Sequence, residues 1–106
     1  MRKLYVVKYQ RDFDRIISKN NYKKTSRLVI YFEDNNLKYD CYGISVGKKL
    51  GNAVYRNKKK RQIRSIIDEY RRENNNHKNY IIILRTGGKN SSYQELKEDF
   101  YNIMKG

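Results

Sequence analysis

Asn57, Lys60, Arg61 and Arg64 recur at i, i+3, i+4 and i+7, the spacing that gathers side chains on one flank of an α-helix. One amide and three cations so arranged can neutralise a run of phosphates and fix its orientation. They lie in GKKLGNAVYRNKKKRQIR, Gly47 to Arg64, which holds eight Lys or Arg residues and no acid. A solvated charged helix ordinarily carries Glu–Lys pairs four residues apart, yet the first acid here is Asp68, after the tract ends. Gly51 and Asn52 suit a tight turn and an N-cap, and Lys48 and Lys49 stand just before a helix end that itself attracts phosphate. Arg56, Lys58, Lys59 and Lys60 oppose the helix macrodipole by sitting early in the helix. A local preference broken in this way points to function.

Side chains for hydrolysis are scarce. Cys41 and His77 are each the single residue of their type, so a zinc site made by this chain alone is excluded, as is an intramolecular disulfide. No Ser-His-Asp or Cys-His set is available, and the carboxylates lack metal-binding spacing. Glu33–Asp34 is the closest acidic pair, and at a strand end it reads as an ordinary solvated turn. Cys41 reads as a small strand hydrophobe, and His77 falls in a polar, Asn-rich loop with no role assigned.

The basic flank needs a helix, and the helix needs a seat. Ile63, Ile66, Ile67 and Tyr70 form a second stripe on the same segment, about 120° from the first on an ideal wheel. They predict a long helix from Gly51 to about Arg72. Phe13, Ile16 and Ile17 predict a short helix over about 10–19. Arg27 to Glu33 (RLVIYFE) reads as a strand, Asn35–Asn36 as a turn, and Lys38 to Val46 as a second strand paired with the first in a hairpin. Its alternation puts Tyr42, Ile44 and Val46 on one face and Tyr39 and Cys41 on the other. The unbroken apolar run Tyr80 to Leu84 fits a strand covered on both faces. A last helix starts near Ser91 or Ser92, with overlapping capping boxes to Gln94 and Glu95. Its apolar stripe is Tyr93, Leu96, Phe100, Ile103 and Met104. The expected order is αββαβα, an α+β two-layer sandwich on a small mixed sheet.

Across its 106 residues, 25 Lys and Arg face 11 acids, a formal net charge of +14 and a pI near 9.9. One domain over 1–106 is expected, long enough to bury a core without metals or disulfides. That charge repels itself in a compact fold, so a polyanionic partner is the natural explanation. After an irregular basic start, Leu4 to Val7 is too short for a signal-peptide core, and Tyr80 to Leu84 is too short to span a bilayer. A cytoplasmic protein is expected, with no membrane partner.

GISVGKKLGNAVYRNKKKRQIR, Gly43 to Arg64, closely resembles the signature of the bacterial ribonuclease P protein component. The family pattern runs Gly-hydrophobic-Ser-Val, Lys-Lys, Gly-Asn-Ala-Val, Arg-Asn-Arg and a Lys-Arg-x-Ile-Arg tail. The likeness extends over essentially the whole chain, including the Phe-bearing first helix, LVIYF and YIIIL. At the third position of Arg-Asn-Arg stands Lys58, a point charge in place of a guanidinium fork.

The resemblance implies a left-handed βαβ crossover at the long helix, where general statistics favour the right-handed form. It implies an accessory subunit of a tRNA 5′-processing endoribonuclease, with chemistry carried by a catalytic RNA and its Mg2+ ions. The implied partners are that RNA and precursor tRNA, with no DNA expected; the Mg2+ is held mainly by the RNA subunit, and none is assigned to the protein alone. Carried over by motif, Arg56, Asn57, Lys58, Lys60, Arg61 and Arg64 bind the RNA subunit, extended by Lys48, Lys49 and Asn52. Phe13 and Tyr31 match aromatic positions of a cleft for the single-stranded 5′ leader. Ile17 stands where some members carry another aromatic. By its periodicity alone Phe13 serves equally as a core residue. Two rivals share the composition: a small basic endoribonuclease acting alone, and a structural RNA-binding protein of the ribosome type.

Overall fold

A computed structural model describes residues 5–105. Leu4 and the first residues of the basic start lie outside the described residues. The elements run α1 (Gln10–Ser18), β1 (Tyr22–Lys24), β2 (Leu28–Asp34), β3 (Cys41–Ser45), α2 (Ala53–Arg71), β4 (Lys78–Leu84) and α3 (Tyr93–Lys105). The strands form one mixed sheet in the order β1-β2-β4-β3, with β4 antiparallel to β2 and parallel to β3. The α+β architecture is as expected, with two corrections.

First, β2 and β3 are not a hairpin. β4 lies between them, pairing Ile82 with Ile30 on one side and Ile44 on the other. Burial explains the insertion. Ile81 and Ile82 are both fully buried, and only a central strand with layers on both faces hides successive residues. Second, the sequence reading missed β1, a three-residue edge strand against β2. All three of its residues are exposed, so it has no burial alternation to betray it.

Alternation sorts the sheet faces. Leu28 and Ile30 of β2, Tyr42 of β3, and Tyr80, Ile82 and Leu84 of β4 join Ile63, Ile66 and Ile67 of α2 and Leu96 and Phe100 of α3 in the main core. The opposite face carries Tyr31, Glu33, Cys41, Gly43 and Ile81, and packs against α1 through fully buried Ile16. Cys41 is a buried strand hydrophobe as expected, and burial raises its thiol pKa. Of the two capping boxes, α3 uses Ser92 with Glu95: the Glu95 amide donates to Ser92 Oγ at 3.1 Å and the Ser92 amide to Glu95 Oε1 at 3.0 Å. Ser91 instead turns its hydroxyl back to the Gly88 carbonyl.

Candidate nucleic-acid interface

The α2 amino terminus is fixed from both sides. A 3₁₀ turn, Lys48–Leu50, drops Leu50 into the core and leaves Lys48 and Lys49 exposed. Asn52 caps the helix, its Oδ1 accepting from the Tyr55 amide at 2.9 Å. The need for Gly51 differs from the expected tight turn: its backbone is extended (φ 171°, ψ 179°), which any residue could adopt. What requires glycine is Tyr55, whose ring Cδ2 would lie 2.5 Å from a Cβ there. The ring is held in place because Tyr55 Oη donates to the Lys89 carbonyl at 2.5 Å.

Ile63, Ile66, Ile67 and Tyr70 are buried, so the predicted seat is the real one. The opposite flank then faces outward: Asn57, Arg61 and Arg64 are exposed, and Lys60 is half-buried. Arg56 is half-buried beside this flank. Lys58 is exposed but sits about 110° from the centre of the stripe on an ideal wheel, toward α3. Lys59, inside the same basic run, is withdrawn from it. It is 6% exposed, and its Nζ donates to the Ser91 carbonyl, tying α2 to the segment before α3. Burial, with Lys58 beside it, lowers its ammonium pKa. Ion pairs among the described residues occupy Arg15, Lys19, Arg27, Lys78 and Lys97, not the cations of this flank.

On the other side of the sheet, Phe13, Ile17 and Tyr31 share the α1 face. The Phe13 ring rests on Gly43, where a Cβ would lie 2.6 Å from Phe13 Cζ. Register places Gly43, Ile81, Tyr31 and Tyr22 in one row across four strands. Phe13 therefore lies over one end of a row whose other end is the Tyr31–Tyr22 ring pair, centroids 5.3 Å apart. All three of Phe13, Ile17 and Tyr31 are half-buried, as suits side chains that are anchored yet reachable.

Glu33 corrects the solvated-turn reading. It is 6% exposed, within β2, and clamps α1 to the sheet. Arg15 donates to both its oxygens, at 3.3 and 2.7 Å; Lys19 approaches to 2.8 Å, and Asn79 donates at 2.7 Å. The sequence offered only an Arg and a Lys four apart on a short helix, with no sign of what they face. Asp34 is exposed and pairs with Lys78, as a turn acid would. Both acids therefore face cations, Glu33 toward Arg15 and Lys19 and Asp34 toward Lys78.

The Arg15 bond, aided by Lys19 and Asn79, lowers the Glu33 pKa from 4.5 to about 2. A lowered folded-state pKa means stabilisation that is complete above about 4.5 and lost as pH falls through about 2. Discounted for half-exposed Arg15 and Lys19, the contribution is about 2 kcal/mol. Urea unfolding at pH 5 and pH 2.5 measures it. Glu33→Gln should be less stable at pH 5 and lose about 1.5 kcal/mol less than the parent between the two pH values, most of the contribution, since pH 2.5 still lies just above the folded-state pKa.

The family model described as Ribonuclease P matches residues 1–106. The chain is 42% identical to the ribonuclease P protein component of Mycoplasma mycoides subsp. mycoides SC, covering 99% of this chain and 97% of that one. It is 38% identical to that of Streptococcus gordonii, over 99% and 87% of the two chains. Among solved structures, the Staphylococcus aureus RNase P protein superposes with a TM-score of 0.88 at 33% identity, covering 95% of this chain and 93% of that one. The Thermotoga maritima RNase P protein gives 0.85 at 25% identity, over 93% and 94%.

Proposed function

The chain belongs to the ribonuclease P protein family, and on that premise we propose that it is the protein subunit of the tRNA 5′-processing ribonucleoprotein. It binds a catalytic RNA subunit along the outer flank of α2 and the 5′ leader of precursor tRNA on the α1 face of the sheet. Membership in the family carries involvement in an endoribonuclease and an RNA partner. The finer assignment rests on one observation above all: the α2 flank gathers Asn57, Lys60, Arg61 and Arg64 away from the core, with no carboxylate partner among the described residues.

Such a surface supplies phosphate neutralisation and orientation rather than base reading. Lys48, Lys49 and the capped helix start at Asn52 extend it, and Arg56 and Lys58 flank it. The α1 face supplies stacking from Phe13 and Tyr31, which tolerates any leader sequence, as a subunit serving many precursors requires. Hydrolysis falls to the RNA and the Mg2+ it holds. The protein neutralises phosphates that would otherwise demand more Mg2+ as counterion.

Reconstitution with the catalytic RNA and precursor tRNA tests this reading. At low Mg2+ the protein should restore leader removal that the RNA alone performs poorly, and the RNA-free protein should cleave nothing. Processing unchanged by the protein at every Mg2+ concentration overturns the reading.

A further inference from the structure

An open groove of about 390 Å³ lies where α3 ends over β2 and β4, on the sheet face opposite α1. Its floor includes Phe32, Tyr80, Ile103 and Met104, and its rim carries Lys23 and Lys78. Along β2, Phe32 points to the same side as Leu28 and Ile30, which the helices cover to 1% exposure. Phe32 itself is left half-buried, as is Met104 in the last turn of α3. Lys78 Nζ stands 5.6 Å from the centre of the Phe32 ring, and its one ion pair among the described residues is to exposed Asp34. Lys23 is exposed, on β1 opposite Ile30. The wall is fixed before any ligand arrives, because the Asn76 side-chain amide donates to the hydroxyls of Tyr70 and Tyr80, each at 3.0 Å.

We propose that this groove receives one unpaired nucleotide of an RNA strand, its base against Phe32 and Met104 and its phosphate between Lys23 and Lys78. The pairing of floor and rim selects the occupant. A half-buried aromatic and a polarizable thioether accept the π-face of any base, and two ammonium groups bind phosphate as point charges. An apolar peptide would fill the floor yet leave Lys23 without a counter-charge and Lys78 with only exposed Asp34, on a chain whose formal charge is already +14. The inference rests on the RNA-partner reading and adds a contact on the sheet face away from Phe13.

Only Met1 and Met104 are methionines, so 13C-methyl labelling of the full chain gives a direct reporter of the groove. On titration with hexauridylate the Met104 methyl should shift saturably. Lys23→Glu, at an exposed position that leaves the fold intact, should weaken that response about tenfold or more. Polyphosphate of matched charge should not reproduce it. A Met104 signal that stays still while α2 amides respond overturns the groove alone. So does a shift that survives Lys23→Glu in full, or the same shift with polyphosphate. Silence from both Met104 and α2 overturns the RNA-partner reading as well.

Discussion

Exchanging Arg61 and Arg64 together for glutamate lowers the affinity for the catalytic RNA subunit by at least about 100-fold at moderate salt, through two lost phosphate contacts and two introduced repulsions. Both side chains are exposed on the flank away from Ile63, Ile66 and Ile67, so the helix keeps its seat. The diagnostic is the salt dependence. About seven phosphate contacts give a slope of log affinity against log salt of roughly −5 to −6, and each contact removed makes it shallower by about 0.7 to 0.9. The double variant should therefore lose about 1.4 to 1.8 from the slope while its thermal unfolding stays near that of the parent. A parent slope near −1, or equal slopes for the two proteins, rules out the phosphate-contact account.

Gly43→Val should cost about 2 to 3 kcal/mol of stability by overpacking and disable the α1 face at the same time. A Cβ at this position lies 2.6 Å from Phe13 Cζ and 2.8 Å from Ile81 Cδ1. Ile81 is fully buried in the central strand and cannot retreat, so the half-buried Phe13 ring must. The valine variant, assayed below its melting temperature, should behave as Phe13→Ala does. Each should bind leader-bearing precursor tRNA about tenfold or more weakly, the worth of one stacked base, and bind mature tRNA as before. Equal losses for both tRNAs would assign Phe13 to folding alone.

Much of the candidate interface was legible because it depends on local period. The two stripes of α2 follow from residues within a few turns of one another, and helical geometry alone sets them on different flanks. Asn52 as a cap and Ser92 with Glu95 as a capping box are equally local. Counting charges could not separate Lys59 from its neighbours, although the same wheel sets it about 30° from the centre of the core stripe; what no local window shows is its partner, the Ser91 carbonyl 32 residues away. The turn chemistry of Asn35–Asn36 made a hairpin attractive, but it says nothing about a strand arriving from position 78. Glu33 looked like a turn acid because its partners, Arg15 at 18 residues and Asn79 at 46, are invisible to any local window.

By itself, the sequence determined the helices, three of the four strands, the polyanion-seeking charge and the cationic flank of α2. Each of these is written in spacing along one segment, where backbone geometry converts sequence distance directly into direction. Only the tertiary structure decided that β4 lies between β2 and β3, that Glu33 clamps α1, that Lys59 bonds the Ser91 carbonyl, and that Phe13 rests on Gly43. Those outcomes depend on which distant groups must be buried together and which polar atoms must then be satisfied. That accounting closes only when the whole chain has packed.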